Sequence, residues 1–219
     1  MPDLDFSVRS AEALAFSAVP TLALKLHIVN RQPQPVRSIS LTTQIRIAAN
    51  RRTYADPEQE RLRDIFGEPA RWGQTLRSLL WTVSTIQVPG FSGETDVDLP
   101  VQCTYDFEVA SAKYFHALDE SGLDVPLELL FSGQVFFSAQ AGLQVEQISW
   151  DKEAHFDMPV RVWKEVMRLY FPNSAWLRLR QDTFDRLYRY RALHALPTWD
   201  ATLEQLLQAT EPQEPLWTR

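Results

Sequence analysis

The sequence predicts an α+β protein: an antiparallel β-sandwich of immunoglobulin-like type with a short helical insertion, followed by a C-terminal helical subdomain. Three observations predict it. Leu22, Leu24, Leu26 and Ile28, and then Ile39, Leu41, Thr43, Ile45 and Ile47, recur at every second position, the period of strands with one face on a core and one in water. DPEQERLRDIFG, Asp56 to Gly67, carries the start and stop signals of a helix. From Pro159 the apolar period changes to steps of three and four. A run of strands followed by a run of helices is the α+β order. The expected division is a sandwich over residues 1–158, with the insertion near 56–78, and a helical subdomain over 159–219 packed on it.

In chain order, Leu4, Phe6 and Val8 alternate with Asp5, Ser7 and Arg9 as a first strand. The two runs named above follow. The polar, proline-bearing connector NRQPQP between them, Asn30 to Pro35, makes them read as neighbouring antiparallel strands. In the insertion, Asp56 is the expected N-cap, Pro57 the first helical residue and Gly67 the C-terminal stop, with Leu62, Ile65 and Phe66 as a narrow apolar stripe. Trp72 and Trp81 anchor what comes next. Strands resume at Trp81 to Val88, turn at Pro89-Gly90, and continue with Thr95, Val97 and Leu99 until Pro100 limits them. Tyr105, Phe107 and Val109 alternate again, and ASAKYFHAL continues as a bulged strand or a bend. Leu123 to Phe137 reads as a strand broken at Ser132-Gly133. Leu143 and Val145 start another, for eight or nine strands through Phe156. Three helices close the chain: Val160 to Tyr170, one from Asp182 that Pro197 stops, and one capped by Thr198 that carries Trp199, Leu203, Leu206 and Leu207.

With 219 residues, 45% of them hydrophobic, the chain can bury a sizeable core. Its net charge of -6 argues against a surface built as a whole for nucleic acid or anionic lipid. The charge is uneven: Val160 to His194 holds eight Lys or Arg against three Asp or Glu, a local +5 that leaves -11 for the remainder. The single cysteine, Cys103, excludes an intrachain disulfide, so a cytoplasmic location is expected. No signal peptide or membrane span is read, and no membrane partner is expected.

No cofactor fingerprint or metal-ligand spacing is present, so no cofactor, metal ligand or catalytic residue is assigned, and the protein is expected not to be an enzyme. Cys103 has no histidine near it in sequence and suits a small buried residue. Glu94, Asp96 and Asp98 share a strand face and could hold calcium, although period two is what a wet face gives without any chemistry. WDKEAHFD, Trp150 to Asp157, gathers Asp151, Glu153, His155 and Asp157, a candidate cleft for a small-ligand binder or enzyme. LRLRQDTFDRLYRYR, Leu177 to Arg191, interleaves Arg178, Arg180, Arg186, Arg189 and Arg191 with aromatics. These arginines, with Trp217, form a candidate interaction surface for an acidic protein partner, or for the acidic sandwich of the same chain, which would silence the patch. Nucleic acid is the weaker reading of the same patch.

FGEPARWGQTLRSLLW (Phe66 to Trp81), DLPVQCTYDFEVASAKYFHAL (Asp98 to Leu118), LLFSGQVFF, ISWDKEAHFDMPV and YFPNSAWLRLRQDTFDRLYRY together resemble an uncharacterised bacterial family, domain of unknown function 6084, over nearly the whole chain. The resemblance implies gene neighbourhoods shared with nickel-iron hydrogenase subunits and their maturation factors. It therefore implies a role in assembling or supporting such an enzyme, and it assigns no functional residue. Metal-handling maturation factors use Cys or His clusters, which this chain lacks, so the expected function is that of an accessory or scaffold protein that binds another protein. The residues leave the oligomeric state open.

Overall fold

A computed structural model describes residues 2–104, 106, 109–120, 122–139, 142–174 and 177–210. The chain divides into two compact units, Met1–Trp176 and Leu177–Arg219. The strand expected through Tyr105 and Phe107, and the anchor Trp217, lie outside the described residues.

The first unit is built from β1 (Leu4–Ala13), β2 (Thr21–Asn30), β3 (Val36–Ile47), α1 (Asp56–Phe66), α2 (Trp72–Thr75), β4 (Leu79–Val88), β5 (Glu94–Gln102), α3 (Ala110–Ala117), β6 (Val125–Ala139), β7 (Gly142–Gln147), β8 (Glu153–Met158) and α4 (Val160–Tyr170). All strand pairs are antiparallel. One sheet has the order β1-β2-β5; the other runs β4-β3-β6, with β7 and β8 sharing the far edge of β6. The sheets approach each other where β1 runs beside β8 and β4 beside β5, and both contribute to one core with α1, α3 and α4.

β2 and β3 are not neighbours. Each is a central strand of a different sheet, and the Asn30–Pro35 connector crosses between them. Alternation reports which face of a strand is buried; it carries no information about the partner. The crossing is held by Asn30, itself buried, whose amide donates to the Gln34 carbonyl while its side-chain oxygen accepts from the Gln32 and Asp3 backbone N–H groups.

Other expectations shift by smaller amounts. The N-cap of α1 is Ala55, and the Glu58 carboxylate accepts from the Ala55 N–H; Gly67, at φ 74°, ends the helix as its place in the sequence predicts. β5 continues through Pro100 to Gln102, which an edge strand permits because the missing N–H is not needed on its free side. β6 is unbroken at Gly133. That residue marks where β6 exchanges neighbours, pairing with β8 over Val125–Leu130 and with β7 over Gln134–Ala139. ASAKYFHAL forms helix α3: Ser111, Tyr114, Phe115 and Leu118 are buried at helical spacing, and adjacent buried Tyr114 and Phe115 cannot both face the core from a one-sided strand. The first unit also keeps α4, whose Val160, Val162, Trp163, Val166 and Met167 belong to its core. The first compact unit ends at Trp176.

The core contains a run of rings from Trp81 through Phe115 to Trp163, and a second stack of Phe6 on Phe131. It also contains Thr43, fully buried on the inner face of β3, whose hydroxyl has no hydrogen-bond partner. A buried unpaired hydroxyl is costly while its methyl group packs like valine's. Thr43→Val is expected to raise unfolding stability by about 1 kcal/mol, measured by urea denaturation.

Candidate interaction surface

The second unit consists, among the described residues, of α5 (Gln181–Leu193) and α6 (Trp199–Thr210). Thr198 caps α6 as expected, its hydroxyl accepting from the Ala201 N–H. The turn between the helices is organised by Arg191, which donates to the Leu196 and Pro197 carbonyls and lies 4.9 Å from the Trp199 ring centre. Trp199 in turn meets Phe184 and Tyr188. The candidate arginines therefore separate. Arg191 is a structural residue of the turn; Arg180 lies 3.4 Å from Asp182 across the start of α5; Arg178, Arg186 and Arg189 are exposed. Arg186 borders a groove of about 380 Å³ that it shares with Thr183, Leu187, Tyr190 and Leu206.

Two helices cannot enclose a core, and this pair does not. Thr202 alone is buried among the described residues of the unit, whereas Leu177, Tyr188, Leu193 and Leu207 are 69%, 58%, 84% and 61% exposed. Apolar side chains rimmed by arginine, on helices with so little of their own to pack against, make up a surface suited to contact.

The candidate cleft takes a different form from the one expected. Glu153, His155 and Asp157 alternate along β8 on its exposed face, and Asp151 sits in the turn before it. His155 Nε2 is 3.8 Å from Glu153 and 3.2 Å from an Arg51 nitrogen, and Arg51 also reaches Glu128, which Arg46 approaches from β3. The result is a charge ladder across an open sheet face. The Asp151 carboxyl is held below its usual range by the Ser149 hydroxyl. The cavity nearest this stretch, about 110 Å³, is lined instead by Asp3, Leu4, Val135, Glu146, Ile148 and Lys152 among others.

Glu94, Asp96 and Asp98 each lie beside a basic side chain. Asp96 accepts from Arg9 and lies 2.9 Å from His27 Nδ1, Glu94 lies 3.7 Å from His27, and Lys25 bridges Asp98 and Glu12. Among the described residues no three His, Cys, Asp or Glu side chains are grouped to hold a metal ion. Cys103 is buried, and that burial pushes its thiol up to about 12, so it is protonated at neutral pH.

The side chains with the most demanding environment went unnoticed in the sequence. Arg52 and Glu58 are 2% and 4% exposed and form a two-point ion pair at 3.0 and 3.2 Å. Arg52 also donates to the Leu123 carbonyl, and Glu58 accepts from the Asp119 N–H. Beside them Tyr54 donates to the Ala49 carbonyl and accepts from Tyr114, whose hydroxyl burial pushes well above the usual phenol range. Segment 117–120 is further clasped by Arg61 on the Ala117 carbonyl and Asp119, by Lys164 on the Leu118 carbonyl, and by Arg168 on Glu120. Burial, with Arg61 and Arg168 nearby, lowers Lys164 from its ordinary value although Glu120 and Asp119 oppose it.

These features define an α+β protein with two antiparallel sheets and six α-helices among the described residues, the last two of which belong to a separate unit. No helix among the described residues is long and apolar enough to cross a membrane. The chain belongs to the family of unknown function DUF6084, which it matches over residues 1–215. No curated protein matches it. Among solved structures it is similar to a protein described as late embryogenesis abundant (14% identity, 74% of this chain and 76% of that one, TM-score 0.30). It is also similar to the CARDB domain of the PF1109 protein from Pyrococcus furiosus in complex with di-metal ions (13%, 72% and 87%, 0.27). A third is a β-glucosidase from Kluyveromyces marxianus (9%, 72% and 15%, 0.27).

Proposed function

We propose that this protein is a non-enzymatic, cytoplasmic accessory or scaffold protein that binds another protein, a subunit or maturation factor of a nickel-iron hydrogenase, through its α5–α6 unit. The two sheets are read as an immunoglobulin-like sandwich that carries this unit. The observation behind the reading is the uncompleted core of the helix pair: exposed Leu177, Tyr188, Leu193 and Leu207 beside exposed Arg178, Arg186 and Arg189. A partner face with apolar anchors inside an acidic rim would complement it in shape and sign. The direction towards a hydrogenase comes from the gene neighbourhood that the family resemblance implies.

Titration calorimetry of the purified chain against the hydrogenase subunits and maturation factors tests the proposal. One of them is expected to bind the wild type, and the double variant Arg186→Glu, Arg189→Glu is expected to bind it at least tenfold more weakly, with a reduced salt dependence. Absence of heat with every component, or equal binding by the double variant, would remove the proposal's support.

A further inference from the structure

We infer that a second copy of this chain pairs with β4 edge to edge, in antiparallel register about a twofold axis at Thr85. This goes beyond the proposed function and does not depend on it.

An open sheet edge presents a row of backbone donors and acceptors, and proteins that remain monomeric block such edges with charge, proline, bulges or short strands. Three of this protein's edges are blocked in that way. β1 carries Asp5, Arg9 and Glu12 and a register shift between Val8 and Ser10. β5 carries Glu94, Asp96 and Asp98 and contains Pro100. The edge formed by β7 and β8 is two six-residue pieces, with Gly142 at φ 103° starting one and Glu153 and Asp157 on the other. β4 has none of these devices over its regular part. Past the register shift opposite Ile45 and Arg46, Thr82–Val88 reads TVSTIQV, without charge, proline or glycine and with five β-branched residues of seven.

Among the described residues the only strand paired with β4 is β3. β5 of the other sheet meets it through the Ser84 hydroxyl, which donates to the Pro100 carbonyl, a side-chain contact that satisfies none of the backbone edge. Helix α3 packs at the other end, where Phe115 meets Trp81. The unpaired window is thus Thr82–Val88.

The occupant follows from what that window offers. Its own seven residues carry neither a charge to attract a charged partner nor a like charge to repel a second copy; Lys25, Asp96 and Asp98 line the open depression beside Ile86 and Gln87 at its end. On the outer face Ser132 of β6, Thr42 of β3 and Thr85 of β4 lie in one cross-strand row, with the Thr42 and Thr85 hydroxyls 3.1 Å apart. A twofold axis at Thr85 extends the row with the second copy's threonine, and threonine facing threonine is a favourable cross-strand pair. The same register sets Val83, 55% exposed, against the aliphatic stem of the other copy's Gln87. The contact is isologous and closes at two copies, joining two five-stranded sheets into one.

Analytical ultracentrifugation of the full chain tests this with three samples. The wild type is expected at twice the 25.3 kDa chain mass. Thr85→Lys and Thr85→Glu each place like charges across the axis and are expected to sediment as single chains with unaltered circular dichroism. An equimolar mixture of the two, in which lysine faces glutamate, is expected to return to the doubled mass. A wild type that remains a single chain overturns the inference. So does a dimer that survives both substitutions, or a mixture that does not reassociate.

Discussion

Glu58→Ala is expected to cost about 3–5 kcal/mol of unfolding stability, enough to unfold many domains at moderate temperature. The substitution leaves the Arg52 guanidinium charged and buried, with the Leu123 carbonyl and the Tyr54 ring face, 5.0 Å away, as the remaining partners described, and it frees the Asp119 and Ala55 N–H groups that Glu58 accepts from. Breaking a buried pair from one side costs more than the pair contributes, because the surviving charge remains out of water. The double variant Arg52→Met, Glu58→Leu is therefore expected to recover a large part of the loss in urea denaturation. If Glu58→Ala alone costs less than about 1 kcal/mol, the pair is wetter than its burial indicates.

Gly133→Ala is expected to be of similar severity, by more than about 3 kcal/mol, with the loss of native β3–β6 pairing visible in circular dichroism. A Cβ at this position would lie 1.9 Å from the Ser40 carbonyl oxygen, and the backbone φ of 132° is one that side chains rarely adopt. The obstacle is backbone of the adjacent central strand, so no rotamer change relieves it. Gly142→Ala is the control: it too has positive φ, but nothing lies within 4 Å of its missing Cβ, so only the conformational cost of about 1 kcal/mol remains.

The contrast between these glycines shows what sequence reading can reach. Gly133 is legible as an interruption in an apolar run, and a bulge is the usual explanation; the close approach of Ser40 depends on which strand lies alongside, which no local pattern states. The same holds for β2 and β3. Their faces are read correctly from alternation, down to Ile39, Leu41, Ile45 and Ile47 being fully buried, while their assignment to one sheet fails because pairing is a long-range property. Helix α3 was obscured by a preceding stretch of alternating residues and by the absence of a capping side chain at Val109. Helices α4, α5 and α6 are legible because their period and stop signals are local.

The candidate surfaces divide on the same line. That Asp151, Glu153, His155 and Asp157 occur close together follows from composition; that three of them lie side by side on an open sheet face follows from β8 being a strand, since period two puts alternate residues on one side. Glu58 stands in the first turn of α1, where an acid reads as a cap, and its buried role depends on Arg52 and on the 117–120 segment brought to it by the fold. Arg191 looks like one of five equivalent surface cations until the turn after α5 bends back over it.

Hydrogen–deuterium exchange of the isolated chain, repeated with the hydrogenase component that binds it, tests the central claim that α5 and α6 lack a core of their own and obtain one from a partner. In the free protein the account predicts slow exchange in β2, β3 and β6 and fast exchange throughout α5 and α6, with protection of the two helices appearing on binding. Helices that exchange as slowly as β3 in the isolated chain, or that gain no protection when the partner is bound, would contradict it.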